Sequence, residues 1–291
     1  MEPVISESQL AHGPQRGTAT TAGTPSTREL AVRLSWVIAA GMSVQAAGGL
    51  LFPGVYRDVA WIRTAWFGCD VVTLLLAVPL LAGGLLTAAR GSRRGELLWY
   101  AALSYGLYNY AYLMLGAHLN TLFPLYVGLF VASVWTLILA LSTADLTDLV
   151  AGFDARTRTR AVAIYMMLTG LGLGVAWLSQ WGAYAFGGAV PSIGEGPFKL
   201  VASLDLSIIV PSMIVGAVLL WRRRRWGYLL AAILNTKGAA YTAGLTVASV
   251  VGGLRNVPGT MEQAPIWGAW TVVGTTATLT LLWRLRPRAA E

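Results

Sequence analysis

Cysteine, histidine and lysine are nearly missing from this chain, and each shortage closes off a class of chemistry. The single cysteine, Cys69, excludes an intrachain disulfide and any multi-cysteine metal or redox centre. Of the two histidines, His12 lies in a polar tail, which leaves His118 alone. A haem held by two histidines and a multi-histidine zinc site therefore lack ligands, and neither a cofactor nor a metal is expected. Charge is scarce too. Only 12% of the 291 residues are Asp, Glu, Lys or Arg, against about 25% in a soluble domain. No G-x-S-x-G, H-E-x-x-H or GK[ST] phosphate loop is present, so no motif fixes a reaction. Whether the protein is an enzyme stays open at this level, because membrane enzymes assemble sites from scattered residues.

What the chain has in quantity is apolar sequence. Hydrophobic residues make up 56% and the mean hydropathy is +0.61. Apolar runs of about 18 residues or more recur, each long enough to cross a hydrocarbon core of about 30 Å as a helix. The expected fold is an all-α, polytopic transmembrane bundle, with the lipid bilayer as its first partner. Nineteen arginines against two lysines, with 33 Gly and abundant Ala, point to a GC-rich bacterial genome and hence to a bacterial plasma (inner) membrane.

Residues 1–30 are rich in Ser, Thr, Gly and Pro and read as a disordered cytoplasmic tail. They lack the basic-then-apolar order of a signal peptide. The transmembrane domain runs over 31–285, and 286–291 form a short cytoplasmic tail. Eight spans are expected near 31–52, 65–88, 96–118, 122–142, 161–181, 205–221, 228–250 and 266–284. Placing the loops on alternate sides puts sixteen of the 21 basic residues on one side and four on the other, with Lys237 inside a span. Cationic loops stay in the cytoplasm, so both termini are expected there. The net charge of +8 is then a topology signal, and no nucleic acid partner is expected.

Two connections are longer than the rest. Segment 142–160 mixes three Asp with three Arg and can form a short surface helix, its charges solvated. Segment 182–203 is Gly-rich and reads as a connecting loop, with a lid or re-entrant role as the alternative. No internal repeat is apparent.

Ionisable groups within spans are costly and tend to face the bundle interior or a wet cavity. Lys237 lies about nine residues into the seventh span, roughly 14 Å deep and near the midplane. Tyr241 follows one turn later on the same face. The counter-charge must come from another span, and Asp70 in the second or Asp205 at the start of the sixth can supply it. Asp205 can equally serve as an N-terminal helix cap. In the third span Tyr105, Asn109, Tyr112 and Gly116 share a face. Asn109 falls at about the depth of Asp70, with His118 at the outer rim. A buried pair that only fixes helix packing accounts for the same residues. Trp61, Trp66, Trp99 and Trp177 are among the indoles read as interfacial.

The stretches LYNYAYLMLGAHLNTLFPLYVGLF at 107–130 and LDLSIIVPSMIVGAVLLWRRRRWGYLLAAILNTKG at 204–238 resemble segments of an uncharacterised family of bacterial multi-pass membrane proteins. The resemblance carries no assigned activity and adds weight to Asn109, Asp205, Pro211 and Lys237. The leading expectation is a protein that binds or transports a small solute, ion or lipid-like molecule through an outward-facing polar cavity. The alternatives are a membrane-embedded enzyme acting on a lipid or isoprenoid and a non-catalytic partner subunit. A retinal Schiff base on Lys237 is disfavoured by the span that follows it.

Overall fold

The computed structural model describes residues 26–154 and 156–286. Within them the chain is helical, with no strand. The helices are α1 (Thr27–Leu51), α2 (Ala60–Ala89), α3 (Arg93–Gly116), α4 (Phe123–Ser142), the short α5 (Leu146–Ala151), α6 (Thr159–Gly187), α7 (Glu195–Trp221), α8 (Arg225–Leu254) and α9 (Ala264–Leu282). A helix lies at each of the eight expected stretches, with ends that differ by up to several residues. By length and composition α1, α2, α4, α6 and α7 can cross a membrane.

The early start of α1 has a local cause. Ser26 and Glu29 form a capping box: the Glu29 N–H donates to Ser26 Oγ at 3.2 Å and the Ser26 N–H donates to Glu29 at 2.9 Å. Two of the helix's orphan N-terminal donors are thereby satisfied. The expected tail thus gives up its last residues to α1, while 1–25, including His12, lie outside the described residues, as do 287–291. The expected long loop at 182–203 is also corrected. Helix α6 continues to Gly187, where Gly188 at φ 66° ends it in the left-handed region, and α7 begins at Glu195. The helix expected in 142–160 is α5, capped by Asp145. Its charges are not merely solvated: Asp148 pairs with Arg93, and Asp154 accepts from Arg286 at 3.3 Å. The Arg156 backbone N–H, with Arg286 beside it, holds the Asp154 carboxyl below the usual carboxylate range.

Helices α2 and α7 each carry one turn of π-helix, at Thr73–Ala77 and Asp205–Ile209, shortly before a Val-Pro pair. Proline has no N–H and its ring crowds the carbonyl four residues back. The turn widens instead, and the N–H of Val78 reaches the Thr73 carbonyl while that of Val210 reaches the Asp205 carbonyl. Such turns concentrate at functional sites.

These two helices expose a regularity that the sequence alone did not show. The starts of α1 and α6 (Thr27, Thr159), the π turns, Pro79 and Pro211, the left-handed residues Gly91 and Arg223, and the starts of α3 and α8 (Arg93, Arg225) form pairs. In every pair the second member lies 132 positions after the first. Gly84 and Gly216, Gly95 and Gly227, and Gly106 and Gly238 keep the same interval. Helices α4 and α9 each have proline at their second residue, at an interval nine residues longer. The described residues form two four-helix halves in tandem, joined through α5.

Helices α3 and α8 occupy corresponding places in the two halves and pack against each other at the centre. Most of α3 and half of α8 are buried, including Tyr105, Tyr108, Asn109, Asn235 and Lys237. The surrounding helices carry the apolar outer surface, so the inner pair has room for polar side chains. Glycines permit the close packing. At Gly68 an added Cβ would strike the α8 backbone, and at Gly84 it would stand 2.7 Å from the Trp99 nitrogen.

Candidate functional site

The packing of α1, α2 and α3 builds the first of two buried carboxylate sites. Asp70, fully buried on α2, accepts from Gln45 Nε2 at 2.8 Å and from the Tyr56 hydroxyl at 2.6 Å. Gln45 in turn accepts from the Tyr110 hydroxyl at 3.0 Å. Tyr56 lies in the connection between α1 and α2, where burial and the neighbouring Asp70 carboxylate raise its pKa and keep it a donor. The clasp needs glycine at position 49, where a Cβ would overlap the Asp70 carboxylate and stand 2.5 Å from the Tyr56 oxygen. Asp70 is therefore engaged inside the first half. It is not the partner of Lys237, and Asn109 makes no bond to it.

The second carboxylate is Asp205, at the start of the π turn of α7. It is interior to a continuous helix and is no N-cap. The Tyr108 hydroxyl donates to its Oδ1 at 2.6 Å and the Trp177 indole donates to its Oδ2 at 2.9 Å. The Lys237 ammonium lies 3.3 Å from the Tyr108 ring centroid and 5.4 Å from that of Tyr241. Among the described residues no carboxylate comes within 4 Å of it. Lys237 and Asp205 attract one another at longer range, with Tyr108 between them: its ring face holds the cation and its hydroxyl holds the anion. A buried cation over an aromatic face gains about 2 kcal/mol when desolvated, which offsets part of the cost of burying it.

The two halves use corresponding positions differently. Gln45 on α1 and Trp177 on α6 stand 132 residues apart, and each donates to the buried carboxylate of the following helix. The counterparts of Asp205 and Lys237 are Thr73 and Tyr105, whose hydroxyls lie 3.0 Å apart. One half therefore spans the crossing of its second and third helices with a neutral hydrogen bond, and the other does so with an ionisable pair.

Of the residues singled out from sequence, Lys237, Asp205 and Tyr241 converge on Tyr108. Tyr112 joins their edge, with its ring 6.3 Å from Tyr241 and 4.9 Å from Trp66. Tyr105 points to Thr73 instead. Asn109 is buried with neither amide atom hydrogen-bonded to a described residue. His118 stands apart: its Nδ1 lies 2.7 Å from Asp58 Oδ1, and Asp58 also accepts from the Trp66 indole at 3.0 Å, closing a surface clasp. Trp66, Trp99 and Trp177 prove to be internal tethers, with Trp99 donating to Ser35 at 2.8 Å. Sequence reasoning passed over Gln45, Tyr56, Tyr108 and Trp177 as ligands of the carboxylates. Nothing in the sequence alone marked them, since the 132-residue interval between Gln45 and Trp177 joins unlike residues.

Beside this cluster a groove of about 490 Å³ runs between α6 and α7. Ala202 and Leu206, which flank Asp205 on α7, line it together with Trp181, Tyr184 and Phe198, and Glu195 and Lys199 stand at its rim. Phe198, which lines the groove, meets Trp177 edge-on at 5.6 Å, so the indole that binds Asp205 touches a ring of the groove wall. Among the described residues no group of three or more His, Cys, Asp or Glu side chains is arranged to hold a metal ion.

No protein-family model matches the chain, and neither a curated protein nor a solved structure matches it.

Proposed function

We propose that the chain is an eight-span protein of a bacterial plasma membrane, with both termini cytoplasmic. It binds a small amphiphilic or lipid-like molecule in the groove between α6 and α7. Two facts support the topology. The shortest of the eight long helices, α9, has 19 residues, about 28 Å at 1.5 Å per residue. Alternate sides also leave the arginine-rich connections 90–94, 156–160 and 222–225 together on one face. Helices α3, α8 and α9 then cross as well, their polar groups sheltered by neighbours.

The observation that carries the functional reading is the buried Lys237–Tyr108–Asp205 cluster beside an aromatic groove, which Leu206, the neighbour of Asp205, lines. Aromatic and apolar walls take the hydrocarbon part of such a molecule, and a few convergent polar groups fix its polar end. The expected outward-facing polar cavity is replaced in this reading by a groove that opens sideways between two helices.

The test is extraction of the purified full chain with organic solvent, followed by mass spectrometry of what co-purified. Wild-type protein is expected to yield an amphiphile that Leu206→Trp, which fills the groove, and Asp205→Asn both deplete. Equal content in all three proteins would refute the site.

A further inference from the structure

We propose that a second site, in the cleft between the connection leading into α6 and the end of α9, binds the phosphate of an anionic phospholipid from the cytoplasmic leaflet. Comparison of the two halves shows how the helices around it differ. In the first half, α1 and α4 pack directly: Gly41 faces Leu129, where an added Cβ would stand 2.8 Å from a side-chain methyl, and Gly48 faces Leu122. The positions 132 residues later are Leu173 and Gln180. With those bulkier residues on α6, the corresponding pair α6 and α9 touches only sparsely. The rings of Tyr165 and Trp270 bridge it at 6.1 Å. The seam packed directly in one half is sparse in the other, and the cleft lies where the connection 156–158 leads into α6 beside the end of α9.

The cleft has a volume of about 610 Å³ and is lined by Arg156, Arg158, Arg284, Thr276, Thr280 and Trp283, among others. None of the three guanidinium groups forms an ion pair with a described carboxylate. Asp154 is taken up by Arg286 and by the Arg156 backbone N–H. Three arginines lining one cleft, none in a close ion pair with a described carboxylate, are matched to a phosphate, whose oxygens accept their forked donors. A lipid is favoured over a free ion because Leu279 and Trp283, 51% and 76% exposed, continue the same face of α9 beside the arginines. They offer an acyl chain its seat.

The measurement is native mass spectrometry of the full chain in detergent with equal amounts of phosphatidylcholine and phosphatidylglycerol. Wild-type protein is expected to retain phosphatidylglycerol in preference. The triple variant Arg156→Gln, Arg158→Gln, Arg284→Gln is expected to lose that preference by about fivefold per arginine removed. Thr280→Trp fills the cleft while leaving every arginine, so it tests the same site should the triple variant fail to fold. It is expected to lower retention as well. Arg222→Gln with Arg223→Gln removes arginines at another turn and is expected to retain the lipid. Unchanged retention in a folded cleft variant overturns the proposal, and so does equal loss in the control. Displacement of the lipid by inorganic phosphate also overturns it, since that is the behaviour of a free-anion site.

Discussion

Gln45 and Trp177 perform the same task one half apart: each reaches from the first helix of its half to a buried carboxylate on the second. The match survives a change of residue from amide to indole because what the position must supply is a single N–H donor. A buried acceptor that loses its donor costs about 1–3 kcal/mol. Gln45→Leu and Trp177→Phe are therefore each expected to lower stability by that order in detergent, measured by thermal unfolding. No loss in either would show that the carboxylates find other donors.

The neutral pair of the first half is a ready-made substitute for the charged pair of the second. Lys237→Tyr alone, or Asp205→Thr alone, strands a buried charge and is expected to cost about 3–5 kcal/mol. The double variant installs at 205 and 237 the residues found at Thr73 and Tyr105. It is expected to recover most of that stability while losing the co-purified amphiphile. A double variant no more stable than the worse single one would show that the halves are not interchangeable at this crossing.

Gly49→Ala is expected to be more damaging than Tyr56→Phe. The second change deletes one hydrogen bond to Asp70, whereas the first drives a methyl group into the carboxylate and the phenol together. Unfolding temperatures of the two variants rank them, and the reverse order would remove the steric argument.

Gly95→Ala and Gly227→Ala are expected to be comparably destabilising. In both, the new Cβ meets backbone of the preceding helix, at Thr87–Ala88 and at Leu219–Leu220. Gly83→Ala meets nothing within 4 Å and is expected to be neutral or slightly stabilising, since alanine is the better helix former by up to about 1 kcal/mol. Expression level and unfolding temperature of the three variants check the contrast.

Much of this was legible in the residues and some was not. Lys237 and Asp205 declare themselves because a charge in an apolar run is rare and expensive. The helix expected over 96–118 and found at Arg93–Gly116 is legible because its length and periodicity are. Tyr108 gave no such signal: tyrosine is at home in an interface, a core or a site, and Tyr105, Tyr110 and Tyr112 stand beside it. Asp70 looked as eligible as Asp205, because depth along a helix says nothing about the direction in which a carboxylate points. The tandem halves were hidden since only a few positions, chiefly prolines and glycines, keep their identity across the 132-residue interval.

By itself the sequence determined a helical, lipid-compatible chain, the places where helices run, and the two kinds of charge that an interior would have to accommodate. It does so because hydropathy and helix periodicity are properties of neighbours along the chain. Only the tertiary structure decided which carboxylate shares Tyr108 with Lys237, which one closes on Gln45 and Tyr56, and that α6 and α9 touch sparsely where α1 and α4 pack directly. Those outcomes depend on how helices distant in sequence are rotated against each other, set by contacts such as Gly68 against α8 and the widened turns before Pro79 and Pro211.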